Sequence, residues 1–175
     1  AEGDFNTVLE YFSYIGPNYY SFNIGSVHYV VLDDILCKNS GAGTAESRDY
    51  ATAVDADQIA WLKKDLAYVD PGMTVIVASH APLYYPSNSS SFKASLDGAS
   101  ELISCFSKFS NVHFFTGHTH DIYNVDKMSS ANPHFEHNAG AVCATWWWTW
   151  KTCGMNLARD GAPGGYTICD FEGKD

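Results

Sequence analysis

Apolar and polar residues are grouped along this chain in segments short enough to assign one at a time. Tyr19–Ile24 and Val27–Leu32 are rich in aromatic and β-branched residues and flank Gly25-Ser26, which predicts a β-hairpin. Residues 37–54, rich in Gly, Ser, Ala and Thr, predict a surface loop. Asp55 is a good helix N-cap, and Gln58 three residues later completes a capping-box pattern. Ile59, Leu62, Leu66 and Val69 then recur at helical spacing, with Lys63, Lys64 and Asp65 expected on the outer side, until Asp70-Pro71-Gly72 ends the helix. Thr74–Ala78 is a short apolar run that predicts a buried strand, followed by a loop over Ser79–Pro86 and a Ser-rich stretch, Ser87–Ser91. A second helix is expected over Ala99–Phe109, with Leu102, Ile103, Phe106 and Phe109 inward, and a strand over Val112–Thr116 that Gly117 breaks. Beyond Asp121 the pattern is β-rich, with strands near Ile122–Val125, Ala141–Trp147 and Tyr166–Phe171. Strand, helix, strand, helix, strand and then more β is the pattern of a layered α/β fold, and no repeat or domain linker interrupts it.

The two buried strands end alike. Val75–Ala78 runs into Ser79-His80-Ala81-Pro82, and Phe114–Thr116 runs into Gly117-His118-Thr119-His120. Ligands gather beyond the carboxyl ends of strands in α/β sheets. If these strands are parallel neighbours, three imidazoles converge on one crevice. A His-x-His run in extended backbone sends both rings to one face, and the preceding glycine lets the loop approach an ion closely. Neutral imidazole is a common ligand for zinc, iron and other divalent metals.

Composition narrows the function. The 175 residues are 46% hydrophobic and 17% charged, which excludes intrinsic disorder. Twenty acidic against ten basic residues give a formal charge of −10, which disfavours nucleic acid and anionic lipid as partners. An anionic substrate would need local positive charge, and bound metal supplies it. No apolar run approaches the length of a membrane span. The five cysteines form no Cys-x-x-Cys pair, so a thiolate zinc site is not expected; they read as buried thiols. Eleven Tyr, ten Phe and five Trp need burial, a pocket wall or an interface.

Ser79-His80-Ala81-Pro82 and Gly117-His118-Thr119-His120-Asp121 resemble the last two sequence blocks of the calcineurin-like metallophosphoesterases. The helix carrying Gln58, Trp61 and Leu62 resembles that family's Gln-x-x-Trp-Leu helix, and Tyr20–Asn23 with Val31–Asp33 resembles its hairpin. The likeness runs over most of residues 18–125, and Gly140–Trp147 and Asp160–Tyr166 look like the distal part of a bacterial branch. The resemblance implies an α/β fold that forms part of a sandwich of mixed β-sheets flanked by helices. It implies hydrolysis of phosphate mono- or diesters at a centre of two divalent ions, with zinc, manganese and iron not distinguished. His80 and His118 would bind one ion and His120 the other. It also favours a location outside the cytoplasm, periplasmic or secreted.

The family's Asp-x-His, Gly-Asp and Gly-Asn-His blocks precede the hairpin, and nothing in residues 1–17 matches them. The expectation is therefore the C-terminal part of one catalytic domain over residues 1–175, with 126–175 as a β-rich distal segment. Such a chain would hold at most one ion, be inactive alone, and self-associate or require the missing half. Candidates to orient a ligand or touch the phosphate ester are Asp33 (or its neighbour Asp34), Asp121, Tyr84, His137 and Trp147, whereas His28 and His113, inside strands, are expected to be structural. The competing reading is a non-catalytic metal-binding module, or a carbohydrate or lipid-headgroup binder that uses the tryptophans.

Overall fold

A computed structural model describes residues 10–37, 49–88, 91–142, 157–158 and 160–171. The hairpin forms where its residues predict it. β1 (Tyr20–Ile24) pairs antiparallel with β2 (Val27–Val31), and Gly25 takes a positive φ of 57° in the turn. β3 (Ile35–Cys37) and β4 (Tyr50–Thr52) pair as a small antiparallel ladder. The expected loop over 37–54 is thus entered and left by strand, because Tyr50–Thr52 finds a partner distant in sequence.

Helix α1 (Ala56–Ala67) starts at Asp55, whose side chain accepts the Gln58 N–H at 2.8 Å. The second half of the capping box does not form as expected. The Gln58 side chain turns to the hairpin instead: its Oε1 accepts the Asp33 N–H at 3.0 Å, and its Nε2 donates to the Asp33 carbonyl at 2.7 Å. Asp65, expected outside, accepts the Ser21 hydroxyl at 2.7 Å and lies 2.9 Å from His28 Nε2. Both departures have one cause. β1 and β2 lie beside this helix, and buried polar groups must be paired, which periodicity along a single helix does not reveal.

β5 (Thr74–Ala78) follows, then the hairpin β6 (Tyr84–Asn88) and β7 (Ser91–Ala94), then α2 (Ala99–Ser104), which continues as turns to Phe109. β8 (Val112–Thr116), β9 (Tyr123–Asp126) and β10 (Phe135–Asn138) are the remaining strands among the described residues. Six of them form one mixed sheet in the order β1-β2-β5-β8-β10-β9, with β2, β5, β8 and β10 mutually parallel and β1 and β9 antiparallel at the edges. The architecture is α/β, as expected. Within the β-rich distal stretch, β10 was not anticipated as a strand. The strand expected over Tyr166–Phe171 is absent, and Tyr166 and Ile168 are exposed there. Ala141–Trp147 lies largely outside the described residues. Among the described residues no helix is long and apolar enough to cross a membrane.

The two sheet faces differ. Val30, Val75, Val77, Val112 and Phe114 point to the helices and join Ile59, Leu62, Leu66, Leu102, Phe106 and Phe109 in one core. Each such aliphatic or aromatic side chain contributes roughly 1.5–3 kcal/mol by leaving water. The opposite face carries Phe22, Tyr29, Phe115, Phe135 and His137, all half-buried or exposed, with Phe22 stacked on Tyr29 at 5.0 Å and Phe115 stacked on His137 at 4.7 Å.

Candidate metal centre

β5 and β8 are parallel neighbours, so their carboxyl ends lie side by side. His80 follows one and His118 the other. Their rings meet edge to face at 4.9 Å between centroids, with His118 Nδ1 3.0 Å from His80 Nε2. A single pocket of about 470 Å³ is lined by Ile35, Tyr50, His80, His118 and His120. All three histidines singled out in the sequence therefore share it. Tyr50 stands edge-on to His118 at 6.0 Å. It is the pocket aromatic that sequence reasoning missed, because it sits in the segment read as loop.

The His-x-His run is not extended. His118 has φ 65° and His120 φ 64°, both in the left-handed region. The Thr119 N–H donates to the Gly117 carbonyl at 2.7 Å, closing a tight turn around His118. Non-glycine residues held at positive φ cost of order 1–3 kcal/mol each and persist where surrounding contacts enforce them. Asn138, buried on β10, does so: its Nδ2 donates to the Gly117 carbonyl at 2.7 Å, and its Oδ1 accepts the Thr119 hydroxyl at 2.7 Å.

The loop carrying His80 is held by two buried carboxylates. Asp34, 1% exposed, accepts the N–H groups of His80 at 3.1 Å and Ala81 at 2.7 Å. Glu136, 0% exposed, accepts those of Leu83 at 2.6 Å and Tyr84 at 3.1 Å. Pro82 between them has no N–H. Every backbone donor from His80 to Tyr84 is thus taken by one carboxylate or the other. Burial raises the Asp34 carboxyl above the ordinary carboxylate range, while its backbone donors pull it back. Burial pushes Glu136 up to about 7 against the same kind of pull. Burial, and then the neighbouring His80 and His120, lower His118, which favours the neutral ring a metal ligand needs.

The remaining sequence candidates fall elsewhere. Asp33 accepts the Asn18 amide at 2.6 Å, so of the two neighbouring aspartates it is Asp34 that braces the histidine loop. Tyr84 does not line the pocket; its hydroxyl meets His134 Nε2 at 3.0 Å. Asp121 follows the pocket, with its N–H directed to the Thr119 hydroxyl at 3.3 Å. His137 lies on the open sheet face, its Nε2 3.1 Å from His113 Nδ1. Trp147 lies outside the described residues. Of the cysteines, Cys105 is half-buried and burial raises its thiol, whereas Cys169 is exposed rather than buried.

The donor set can be tested against an ion. Two imidazole nitrogens bound to one ion at about 2.0–2.1 Å lie roughly 2.9–3.4 Å apart. The 3.0 Å between His118 Nδ1 and His80 Nε2 fits two corners of one coordination sphere. No carboxylate lines the pocket, and no group of three or more His, Cys, Asp or Glu among the described residues is placed to hold a metal. The residues present fit a pair of ligands and do not complete a two-metal centre.

Residues 136–175 match the family model for the C terminal of calcineurin-like phosphoesterase. A stretch of 103 residues, 58% of this chain, is 33% identical to purple acid phosphatase 15 of Arabidopsis thaliana and corresponds to 17% of that protein. These matches support the calcineurin-like phosphoesterase family. Purple acid phosphatase PPD1 from yellow lupin seeds is similar in structure at a TM-score of 0.46 and 20% identity, over 70% of this chain and 22% of that one. The chain thus spans less than a quarter of the length of the relatives it matches.

Proposed function

We propose that this chain is the distal part of a metal-dependent phosphoesterase domain, with residues 126–175 a β-rich distal segment of the same domain, and that it supplies the histidine side of the metal centre. The carrying observation is the 3.0 Å approach of His80 and His118 at the ends of two parallel neighbouring strands. His80 and His118 would hold one divalent ion, and His120, on the same pocket wall, would face a second. Ions bound there would polarise a phosphoryl oxygen and offset the negative charge that develops on it. The chain's own groups favour the neutral His118 ring, set the two rings against each other and hold the strained turn. The substrate class is a phosphate mono- or diester. The two relatives named above are both plant phosphatases, while the distal segments resemble a bacterial branch. The family resemblance favours a location outside the cytoplasm, periplasmic or secreted.

The 175-residue chain is expected to bind at most one zinc or manganese ion and to lose that binding in His118→Ala. It is also expected to turn over an aryl phosphate no faster than that variant. Calorimetric titration and a colorimetric assay check both. Failure to bind either ion would defeat the metal reading. Fast turnover abolished by His118→Ala would defeat the reading as an incomplete centre.

The aromatic sheet face bears on association. Phe22, Tyr29, Phe115 and Phe135 present ring surface on one side of the sheet, and Phe171 packs edge-on against Phe115 at 6.4 Å. We expect the chain to self-associate at micromolar concentration, because its charge of −10 is screened within about 8 Å at physiological salt. Light scattering checks this. A monodisperse monomer that binds no hydrophobic dye would contradict it.

A further inference from the structure

We propose that Glu136 is a positioning residue for the histidine pair: its carboxylate ties the loop that carries His80 to the strand end that carries His118, and so sets the approach of the two rings. The inference rests on the reading of His80 and His118 as ligands. Nothing in the sequence resemblance points to this position, which lies in a stretch not expected to be a strand.

The geometry is specific. Glu136 sits on β10, on the helix-covered face of the sheet, in register with Phe114 of β8. One carboxylate oxygen, Oε1, accepts both the Leu83 N–H at 2.6 Å and the Thr116 hydroxyl at 3.0 Å. The other, Oε2, accepts the Tyr84 N–H at 3.1 Å. Leu83 and Tyr84 are three and four residues past His80, and Thr116 is two residues before His118. The Thr116 hydroxyl also accepts the Asn138 amide at 3.1 Å, and Asn138 holds the turn at His118. A continuous chain of buried hydrogen bonds thus runs from the His80 loop through Glu136, Thr116 and Asn138 to the His118 turn. Side chains that orient metal-binding histidines from outside the coordination sphere typically change affinity 10- to 100-fold when altered. A residue acting on both histidine loops belongs with them.

A fully buried carboxyl is an expensive way to satisfy two N–H groups if packing alone were at stake. An apolar residue at a neighbouring strand position is the usual solution, as Phe114 and Val125 show on either side. What the carboxylate adds is two acceptor oxygens, aimed at two separate segments at once.

The test uses the whole 175-residue chain without metal and then with zinc. In the metal-free protein, the side-chain 15N signals of His80 and His118 report the contact between Nδ1 and Nε2. At one fixed pH, Glu136→Gln puts an N–H donor where one acceptor stood. It is expected to remove the signature of that ring contact and to weaken zinc binding tenfold or more, with the backbone spectrum of the sheet retained. Thr116→Val cuts only the β8 end of the chain of bonds and is expected to act in the same direction, which covers the case in which Glu136→Gln does not fold. Phe109→Leu lowers stability from the far side of the core and is expected to leave the ring contact in place. Unchanged ring signals and affinity in a folded Glu136→Gln or Thr116→Val chain would overturn the proposal. So would loss of the contact in Phe109→Leu, since that would make it an effect of general destabilisation. If the unaltered chain binds no zinc, the ligand reading fails, and the role of Glu136 is then decided by the metal-free ring signals alone.

Discussion

Asp34→Ala is expected to lower the stability of the chain by about 2–4 kcal/mol. The Asp34 carboxylate is buried and accepts the N–H groups of His80 and Ala81. Alanine removes both acceptors and offers no replacement. A buried donor left unsatisfied costs about 1–3 kcal/mol, and a buried cavity the size of a carboxylate adds to that. The Ala81 donor is fully enclosed and bears the larger share, whereas His80 is exposed and its N–H can recruit water. Asp33→Ala provides the contrast. Asp33 is half-buried and accepts from Asn18 at 2.6 Å and from the Ile35 N–H at 3.3 Å, so its removal is expected to cost no more than about 1 kcal/mol. Urea unfolding of the two variants checks both numbers. Equal losses would mean that the two N–H groups find other acceptors when Asp34 is removed.

Glu136 makes stability depend on pH in a direction that can be stated. Its carboxyl stands at about 7 in the folded chain against an ordinary value of 4.5. The folded state therefore binds the proton more tightly than the unfolded state. The associated stabilisation is fully present below pH 4.5 and is lost as pH rises through about 7. At about 1.4 kcal/mol for each pH unit between the two values, the loss is bounded at roughly 3.5 kcal/mol. Tyr84 and Tyr123, the titratable neighbours that feel its charge, are themselves raised by burial and stay neutral throughout this window. His113, His134 and His137 act in the opposite sense. Burial lowers each of them below 6.5, so they favour the folded chain above that pH and disfavour it below. They are common to the unaltered chain and Glu136→Gln, so the difference between the two reports Glu136 together with His118, whose lowering owes part to His80 and changes if the ring contact is lost. Relative to Glu136→Gln, the unaltered chain is expected to lose up to about 3.5 kcal/mol between pH 4.5 and pH 8. Thermal unfolding across that range checks it. A difference that stays flat, or grows with pH, would mean that the three donors around the carboxylate outweigh its burial.

The hairpin, α1, β5 and β8 could be read from the sequence because each carries its signal locally: a turn flanked by β-branched runs, an N-cap with helical spacing, or an apolar run bounded by polar residues. His80 and His118 were readable for the same reason, since each follows such a run directly. The placement of Gln58 and Asp65 was not. Both satisfy polar groups on the hairpin, a partner fixed only when α1 packs beside β1 and β2. Tyr50 reached the pocket because β4 paired with β3, and no local signal in residues 37–54 distinguishes that outcome from open loop.

The sequence by itself determined the α/β class, both described helices, half of the ten described strands, and three histidines at strand ends. The tertiary structure decided that β5 and β8 are adjacent and parallel, which brings His80 and His118 to 3.0 Å. It also decided that the His-x-His run is a turn with positive φ at His118 and His120 rather than extended strand, with Asn138 holding the residues on either side of His118. Above all it assigned Asp34, Glu136 and Asn138 their work. Their side chains answer backbone donors and acceptors that exist only where loops from different strands converge, and such partners leave no periodic trace along the chain.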